Sequence, residues 1–259
     1  MLKHERLTRI QQMVNEQGIV NTGEIMQALD VSDMTVRRDL DELDKSGKLV
    51  RVRGGAQSLN YNIDFELSHL QKSTVKIEEK TAIARAAAAL IQDHETIFLG
   101  PGTTIELLAA MLPDRDIRIV TPSLPAFEKL KERAEGKVLL IGGSYRAHTG
   151  AFCGPLANEI LKRLTFTKAF ISCNGLAEDK ITASSLEEGE MQGIACANAK
   201  ETIVLADSHK FNREDFYVFA HLYNTDQLIT DDEVTPDVVE HYSRFTHIIQ
   251  AQTKGNEED

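Results

Sequence analysis

The chain has 259 residues, 42% of them hydrophobic, which suits one large or two modest domains with a sizeable core. Its net charge of −11 at first argues against nucleic acid; the lack of any apolar run long enough to cross a membrane and an N-terminus without a signal-peptide core argue against a membrane or exported protein, so a cytoplasmic location is expected. Three scattered cysteines (Cys153, Cys173 and Cys196) have no CxxC spacing and fit buried small hydrophobes better than a metal centre or disulfide framework.

Residues 3–17 read as a helix, with Leu7, Ile10 and Val14 at helical spacing and Gly18 ending it. Asn21, with Glu24 three residues on, matches a capping box that opens a second helix carrying Ile25, Met26 and Leu29. That helix closes near Asp30-Val31, and a third starts at once. Ser32 is its expected N-cap, and Asp33 lies in the first turn, where the helix dipole favours an acid. Val36, Leu40 and Leu43 form one inward stripe. Arg38 lies opposite, with Met34 and Arg37 beside it and Thr35 on the flank. Two helices joined by so tight a turn make a helix-turn-helix. Arginine can grip guanine O6 and N7 together, and threonine can reach a phosphate or a thymine methyl, so the free face suits a major groove.

Gly47 closes the third helix. Residues 48–53 then alternate, with Val50 and Val52 on one face and Arg51 and Arg53 on the other, and Gly54-Gly55 supplies a bend. This reads as a wing whose arginines lie along phosphates. The expected DNA-contacting set is Ser32, Met34, Thr35, Arg37, Arg38, Arg51 and Arg53, in a winged helix-turn-helix domain over residues 1–57. That segment holds nine basic and nine acidic side chains, and the remainder holds 20 and 31, so all the net negative charge lies outside it. An acidic body can carry a small DNA reader, with weak and salt-sensitive nonspecific binding.

Residues 58–76 are polar without a clear period and read as a linker. From 77 to 252 helices and short strands alternate. An alanine-rich helix over 78–93 precedes a strand at 96–99. A helix at 103–112, a strand at 117–120, a helix at 124–135 and a strand at 138–141 follow. Further strands fall at 168–173, 202–206, 227–230 and 246–250. Short apolar strands between helices imply a mostly parallel, doubly wound sheet with helices on both faces. The charged tail, 253–259, reads as disordered.

Sheets of this kind bind ligands at the carboxyl ends of their strands. The first strand runs into Gly100-Pro101-Gly102-Thr103-Thr104 and then a helix. Glycines allow close backbone approach, the helix start presents free N–H groups, and two threonines add hydroxyls, which together suit a phosphate. The pattern is neither a GxGxxG dinucleotide fingerprint nor a P-loop. Polar groups recur after later strands: Thr121 and Ser123, Gly142-Gly143 with Arg146, Asn174-Gly175, and residues 207–210. Arg146 or Lys210 can neutralise a phosphate dianion. The expected effector set is Gly100, Gly102, Thr103, Thr104, Thr121, Ser123, Arg146, Asn174, Gly175 and Lys210, with no catalytic, cofactor or metal set. Glu187 and Glu188, beside Ser184-Ser185, offer a general base for an alternative reading as a sugar-phosphate isomerase with a fused DNA-binding module. The plainer reading is that these acids open a helix.

Several stretches carry a resemblance to the DeoR family of bacterial transcription regulators. They are Arg6, Ile10 and Val14; Ser32-x-x-Thr35-Val36-Arg37-Arg38-Asp39-Leu40; Gly54-Gly55-Ala56; Glu79-Lys80; Gly102-Thr103-Thr104; Gly142-Gly143; Phe170-x-Ser172-x-Asn174-Gly175; and Asp207-Ser208-x-Lys210. The resemblance spans nearly the whole chain. It implies a sensor domain like sugar-phosphate isomerases in fold that binds a phosphorylated sugar, operator DNA as partner, and no enzyme activity. A symmetric dimer or tetramer follows from the two-fold geometry of such DNA readers. Within the family, Ser32-Asp33-Met34-Thr35, residues 98–104, Thr182-x-Ser184-Ser185-x-Glu187-Glu188 and Glu214-Asp215-Phe216 are similar to the lactose phosphotransferase-system repressors. That subgroup implies lactose and tagatose 6-phosphate genes, with tagatose 6-phosphate as effector. His209 stands where the family has a second serine, and the acidic tail is longer, which leaves the exact sugar open.

Overall fold

The computed structural model describes residues 3–17, 19–52, 54–58, 69–112, 115–132 and 137–253. Gly18 and Arg53, residues 59–68 of the stretch read as linker, 133–135 of the stretch read as a crossover helix and residues 254–259 lie outside the described residues. The chain divides into two compact units, Met1–Leu67 and Ser68–Asp259.

The first unit holds α1 (Lys3–Gln17), β1 (Ile19–Asn21), α2 (Thr22–Leu29), α3 (Asp33–Lys45), β2 (Val50–Val52) and β3 (Gly55–Gln57). The capping box forms as the spacing predicts. Asn21 Oδ1 accepts from the Glu24 N–H at 2.9 Å, and Glu24 Oε2 accepts from the Asn21 N–H at 3.0 Å. Asp30 ends α2 in the left-handed region, with φ 52°, a conformation its short polar side chain tolerates. Ile10, Val14, Ile25, Val36, Leu40 and Leu43 meet in one core.

Beneath that core Arg6 binds Asp39 with two hydrogen bonds, 2.5 and 3.1 Å, tying α1 to α3. The bond to Asp39 raises the Arg6 guanidinium above its ordinary pKa.

Three details differ from the sequence reading. Ser32 has extended N-cap backbone, but its hydroxyl meets Thr35 Oγ1 at 3.0 Å and caps no backbone N–H. A strand absent from that reading, β1, pairs antiparallel with β3, giving a sheet ordered β1-β3-β2. The wing has no buried valine face, because Val50 is 43% exposed and the inward anchors are Leu49 and Ala56. Gly55 is needed for close approach: a Cβ there would lie 2.1 Å from the Val20 carbonyl oxygen of β1.

The second unit begins with α4 (His69–Thr74), a short helix in the stretch that reads as linker, and α5 (Ile77–Ala89). There follow β4 (Thr96–Leu99), α6 (Thr103–Met111), β5 (Arg118–Thr121), α7 (Leu124–Leu130), β6 (Val138–Leu140), β7 (Ser144–Arg146), β8 (Ala151–Cys153), α8 (Pro155–Leu161) and β9 (Phe166–Ser172). The chain continues through β10 (Gly175–Ala177), β11 (Lys180–Ala183), α9 (Leu186–Ala197), β12 (Ala199–Leu205), β13 (Tyr217–His221), β14 (Gln227–Asp231), α10 (Pro236–Tyr242) and β15 (His247–Ala251).

Seven strands form one sheet, ordered β15-β14-β12-β9-β4-β5-β6, with every pairing parallel. Alternate residues of each strand feed two cores. Ile97, Leu99, Phe170, Ile203 and Leu205 pack with α5, α6 and α7, while Phe98, Ala169, Ile171 and Val204 pack with α8, α9 and α10. The strand order reverses between β4 and β9, which makes their carboxyl ends the switch point of a doubly wound sheet. A hairpin, β7–β8, and an antiparallel sheet, β10-β11-β13, are additions that the sequence reading does not contain. No helix among the described residues is long and apolar enough to cross a membrane.

Replacing Arg6 with Met leaves the Asp39 carboxylate buried without its cation. The expected loss is about 3 kcal/mol, the low end for a broken buried pair, because the Arg6 side chain is itself partly accessible. Urea unfolding of the full chain followed by circular dichroism measures it. Asp39→Asn should cost less, since Arg6 can turn to water.

Candidate DNA-reading face and effector crevice

In the first unit the outer face of α3 carries the expected residues. Met34 is 69% exposed, and Ser32, Arg37 and Arg38 are exposed, with Thr35 half-buried on the flank. Arg38 has no hydrogen bond or ion pair among the described residues. Arg37 Nε donates to Asp33 Oδ2, one turn earlier, at 2.7 Å. Such an exposed pair is worth little and is readily exchanged for a stronger anion. Arg51 of the wing is half-buried and donates to Asp41 at 2.5 Å, so its charge is balanced within the unit. Arg53 lies outside the described residues. A shallow groove beside α3 is lined by Lys3, Ser32, Met34, Thr35 and Arg38, with Asp41 and Glu42 further along the helix. The cationic part is therefore the N-terminal half of α3, the half that contacts base edges in helix-turn-helix proteins.

In the second unit the loop after β4 sits at the switch point. The Gly100 N–H donates to the Phe170 carbonyl at 2.9 Å, and Ser172 Oγ donates to the Pro101 carbonyl at 3.0 Å. Gly102 has φ +132°, and a Cβ there would lie 2.3 Å from Ser172 Oγ, so only glycine fits. Thr103 and Thr104 open α6, where the first N–H groups have no partner within the helix.

Across the gap stands Asn174 at the end of β9. Its Oδ1 accepts from Lys72 Nζ of α4 at 3.2 Å, and its Nδ2 donates to Asp215 at 2.9 Å. Lys80 of α5 is 5% exposed, and its Nζ donates to the Lys72 carbonyl at 2.6 Å. That carbonyl is its only hydrogen-bond partner among the described residues. Burial lowers the Lys80 pKa to about 8; Lys210 and Lys72 push the same way, against Asp207 and Glu79. Lys72 and Lys210 thus lie within electrostatic range of Lys80, together with Asp207 and Glu79, and Lys72 links the group to Asn174.

Two members of that group are missing from the sequence-derived site. Lys72 falls in the stretch read as linker, and Lys80 appears only in a family motif. A signal existed, because Lys72, Lys76 and Lys80 recur every fourth residue. The three part company at Lys76, whose left-handed backbone separates α4 from α5 and whose side chain turns to Glu79 at 2.7 Å and to Glu233.

Gly100, Gly102, Thr103, Thr104, Asn174 and Lys210 all fall at the carboxyl end of the sheet. Four other expected residues have structural duties. Thr121 Oγ1, fully buried, donates to the Leu99 carbonyl at 2.8 Å and accepts from the Ser123 N–H at 3.1 Å. Ser123 Oγ, also buried, caps α7 through the Ala126 N–H at 3.2 Å. Arg146 pairs with Glu188 at 3.5 Å, joining the β7–β8 hairpin to α9. Gly175 is set by packing, since a Cβ would lie 2.3 Å from the Arg213 carbonyl oxygen. Glu187 and Glu188 open α9, where Ser185 Oγ caps the Glu188 N–H, as the plainer reading holds. No group of three His, Cys, Asp or Glu among the described residues is placed to hold a metal ion.

A winged helix-turn-helix followed by a doubly wound α/β domain with a glycine-threonine turn at its switch point is the architecture of a ligand-responsive DNA-binding regulator. Comparison with known proteins agrees. Residues 6–62 match the DeoR-like helix-turn-helix domain, and residues 75–232 match the DeoR C terminal sensor domain. The chain is 42% identical over 254 residues to the lactose phosphotransferase system repressor of Lactococcus lactis subsp. lactis, covering 97% of this chain and all of that one. It is 43% identical over 235 residues to the repressor of the same name from Staphylococcus aureus (strain N315), covering 90% and 94%. The corresponding Streptococcus mutans repressor is 41% identical over 251 residues, covering 96% and 100%. Among solved structures, ribose 5-phosphate isomerase A from Methanocaldococcus jannaschii aligns over 51% of this chain and 53% of its own, with 19% identity and a TM-score of 0.38. The chain belongs to the DeoR family, and it is a transcriptional regulator rather than an enzyme.

The lowered Lys80 value has a pH consequence. Between about pH 8 and the ordinary 10.5 the unfolded chain holds a proton that the folded chain has released, so this group's contribution to stability rises with pH across that window. Lys80→Met should therefore stabilise the protein most at the acid end of the window, and the gain should vanish toward the alkaline end. Urea midpoints of both proteins at the two ends test this.

Proposed function

We propose that the chain represses carbohydrate genes, those of a lactose, galactose or tagatose 6-phosphate pathway, and that a sugar phosphate in the sensor crevice controls its operator affinity. The observation that carries the sensor half is Lys80. A buried ammonium with a single carbonyl partner among the described residues, with Lys72 and Lys210 as well as Asp207 around it, favours an anion. The relatives' printed names support the class of genes.

In this reading α3 enters the major groove, Arg38 and Arg37 grip guanine edges, and Thr35, Ser32 and Met34 set register and shape. The wing, through Arg51 and Arg53, follows the phosphates once Asp41 is exchanged for one. A homodimer or homotetramer presents two such helices to half-sites separated by whole helical turns. Tagatose 6-phosphate is the first effector to test, with fructose phosphates as the competing choice. Its phosphate would lie at the N–H groups of Thr103 and Thr104 against these lysines. The same bonds hold α4: Lys72 gives its carbonyl to Lys80 and its ammonium to Asn174, so an anion drawing on either competes with the seating of the helix that begins the sensor unit. Coupling of about 1–3 kcal/mol between the sites is enough to regulate.

Arg38→Ala should lose about 1–3 kcal/mol of operator discrimination per half-site while keeping effector binding. Gel-shift titration on operator and scrambled DNA measures this, and equal operator affinity for mutant and wild type would contradict it. Thr103→Ala should bind operator normally yet respond weakly to tagatose 6-phosphate. In the wild type that ligand at 100 times its dissociation constant adds about 2.7 kcal/mol of stability, seen as a thermal shift that the mutant lacks.

A further inference from the structure

We infer that Gln192 of α9, facing the bare α-carbon of Gly100, forms a subsite for a ligand hydroxyl, so that the sensor reads the polyol end of its effector as well as the phosphate. This rests on the sensor reading above and extends it to a residue outside the anion cradle.

The Gln192 side chain is 4% exposed, and its Oε1 is fully buried without a hydrogen-bond partner among the described residues. Buried carboxamide oxygens are rarely left so, because an unmet acceptor keeps its desolvation cost and gains nothing. The oxygen points at Gly100, where a Cβ would lie 3.0 Å away. Gly100 opens the same loop that carries Gly102, Thr103 and Thr104, so the unmet acceptor is next to the proposed phosphate position in the chain path. Any larger residue at Gly100 would fill the approach.

Glu188 and Gln192 are one turn apart on α9, and Ser184 lies just ahead of the helix, before its cap Ser185. Ser184 Oγ is likewise buried without a partner. Glu188, between them, is balanced by Arg146 and takes a hydrogen bond from Thr149. What these residues have left to offer is therefore uncharged: one carboxamide oxygen that accepts and one hydroxyl. That chemistry matches a sugar hydroxyl and not a second phosphate. A carboxamide also has no basicity to abstract a proton, which agrees with a domain that binds without turning over.

Isothermal titration of the full-length protein with tagatose 6-phosphate, fructose 6-phosphate and inorganic phosphate tests the assignment, using wild type, Gln192→Met and Gln192→Leu. Gln192→Met keeps the volume and removes the acceptor. It should weaken at least one sugar phosphate roughly tenfold, leave inorganic phosphate unchanged, and melt without ligand no lower than wild type. Gln192→Leu removes the same acceptor with a different side-chain shape and should show the same selective loss, which covers failure of either single variant to fold. Unchanged sugar-phosphate affinity in both variants, or an equal loss for inorganic phosphate, overturns the subsite and leaves the anion cradle standing. Failure of the wild type to bind any of the three ligands overturns the sensor reading itself.

Discussion

A parallel sheet that grows outward from its middle must send the helices after its two central strands to opposite faces, and here those strands are β4 and β9. The chain leaves β4 through Gly100-Pro101-Gly102 toward α6 on one face. It leaves β9 through Cys173 and Asn174 toward the antiparallel sheet on the other. The parting of these two paths makes the crevice, and the requirement that they still touch at their base sets its chemistry. Ser172 reaches across to the Pro101 carbonyl, so close to Gly102 that no side chain fits there. The first N–H groups of α6 have no partner within the helix. α5 delivers Lys80 from the preceding segment, β12 delivers Lys210 from the next strand, and α4 delivers Lys72 from the entry to the unit.

Charge placement explains how an acidic protein can be built for two anions. The net −11 is a sum over the whole surface, whereas binding depends on potentials within about a Debye length, near 8 Å at physiological salt. In the sensor, burial concentrates three lysines at one end of the sheet. In the DNA-binding unit the positive groups are held in exposed pairs, Arg37 with Asp33 and Arg51 with Asp41, and these are weak in water. Arg38 alone among the described arginines of α3 carries no such partner. This pattern suits a reader that ignores most DNA and gains its affinity from the few places where guanine edges and phosphates replace its own carboxylates.

The Arg6–Asp39 pair has the opposite character. It lies beneath α3, shielded and doubly hydrogen-bonded, and it fixes how α3 rotates on α1. Asp39 follows Arg38 about 100° around the helix, so fixing Asp39 on Arg6 also fixes the direction of Arg38. The same helix thus uses adjacent residues for anchoring and for presentation, and the Val36, Leu40 and Leu43 stripe makes that orientation the stable one.

Much of this was legible in the residues alone, wherever the signal was local. The capping box at Asn21, the stripe on α3, the seven buried strands and the glycine-threonine turn each depend on spacings within a few residues, and all are present. Identity of residue type could not say what Thr121, Ser123 and Arg146 do, because their partners, the Leu99 carbonyl, the Ala126 N–H and Glu188, are chosen by how strands and helices meet. Three-residue strands such as β1, β7 and β10 carry no period of their own and exist through pairing, β1 with the remote β3 and β7 and β10 each with the next strand in the chain. So the sequence by itself determined the kinds of element, their order and the class of protein, since those follow from local hydrogen bonding and hydrophobic periodicity. Only the tertiary structure decided that Lys72, Lys80 and Lys210 share one neighbourhood and that Gln192 faces Gly100, because proximity between remote residues is created by the winding of the sheet.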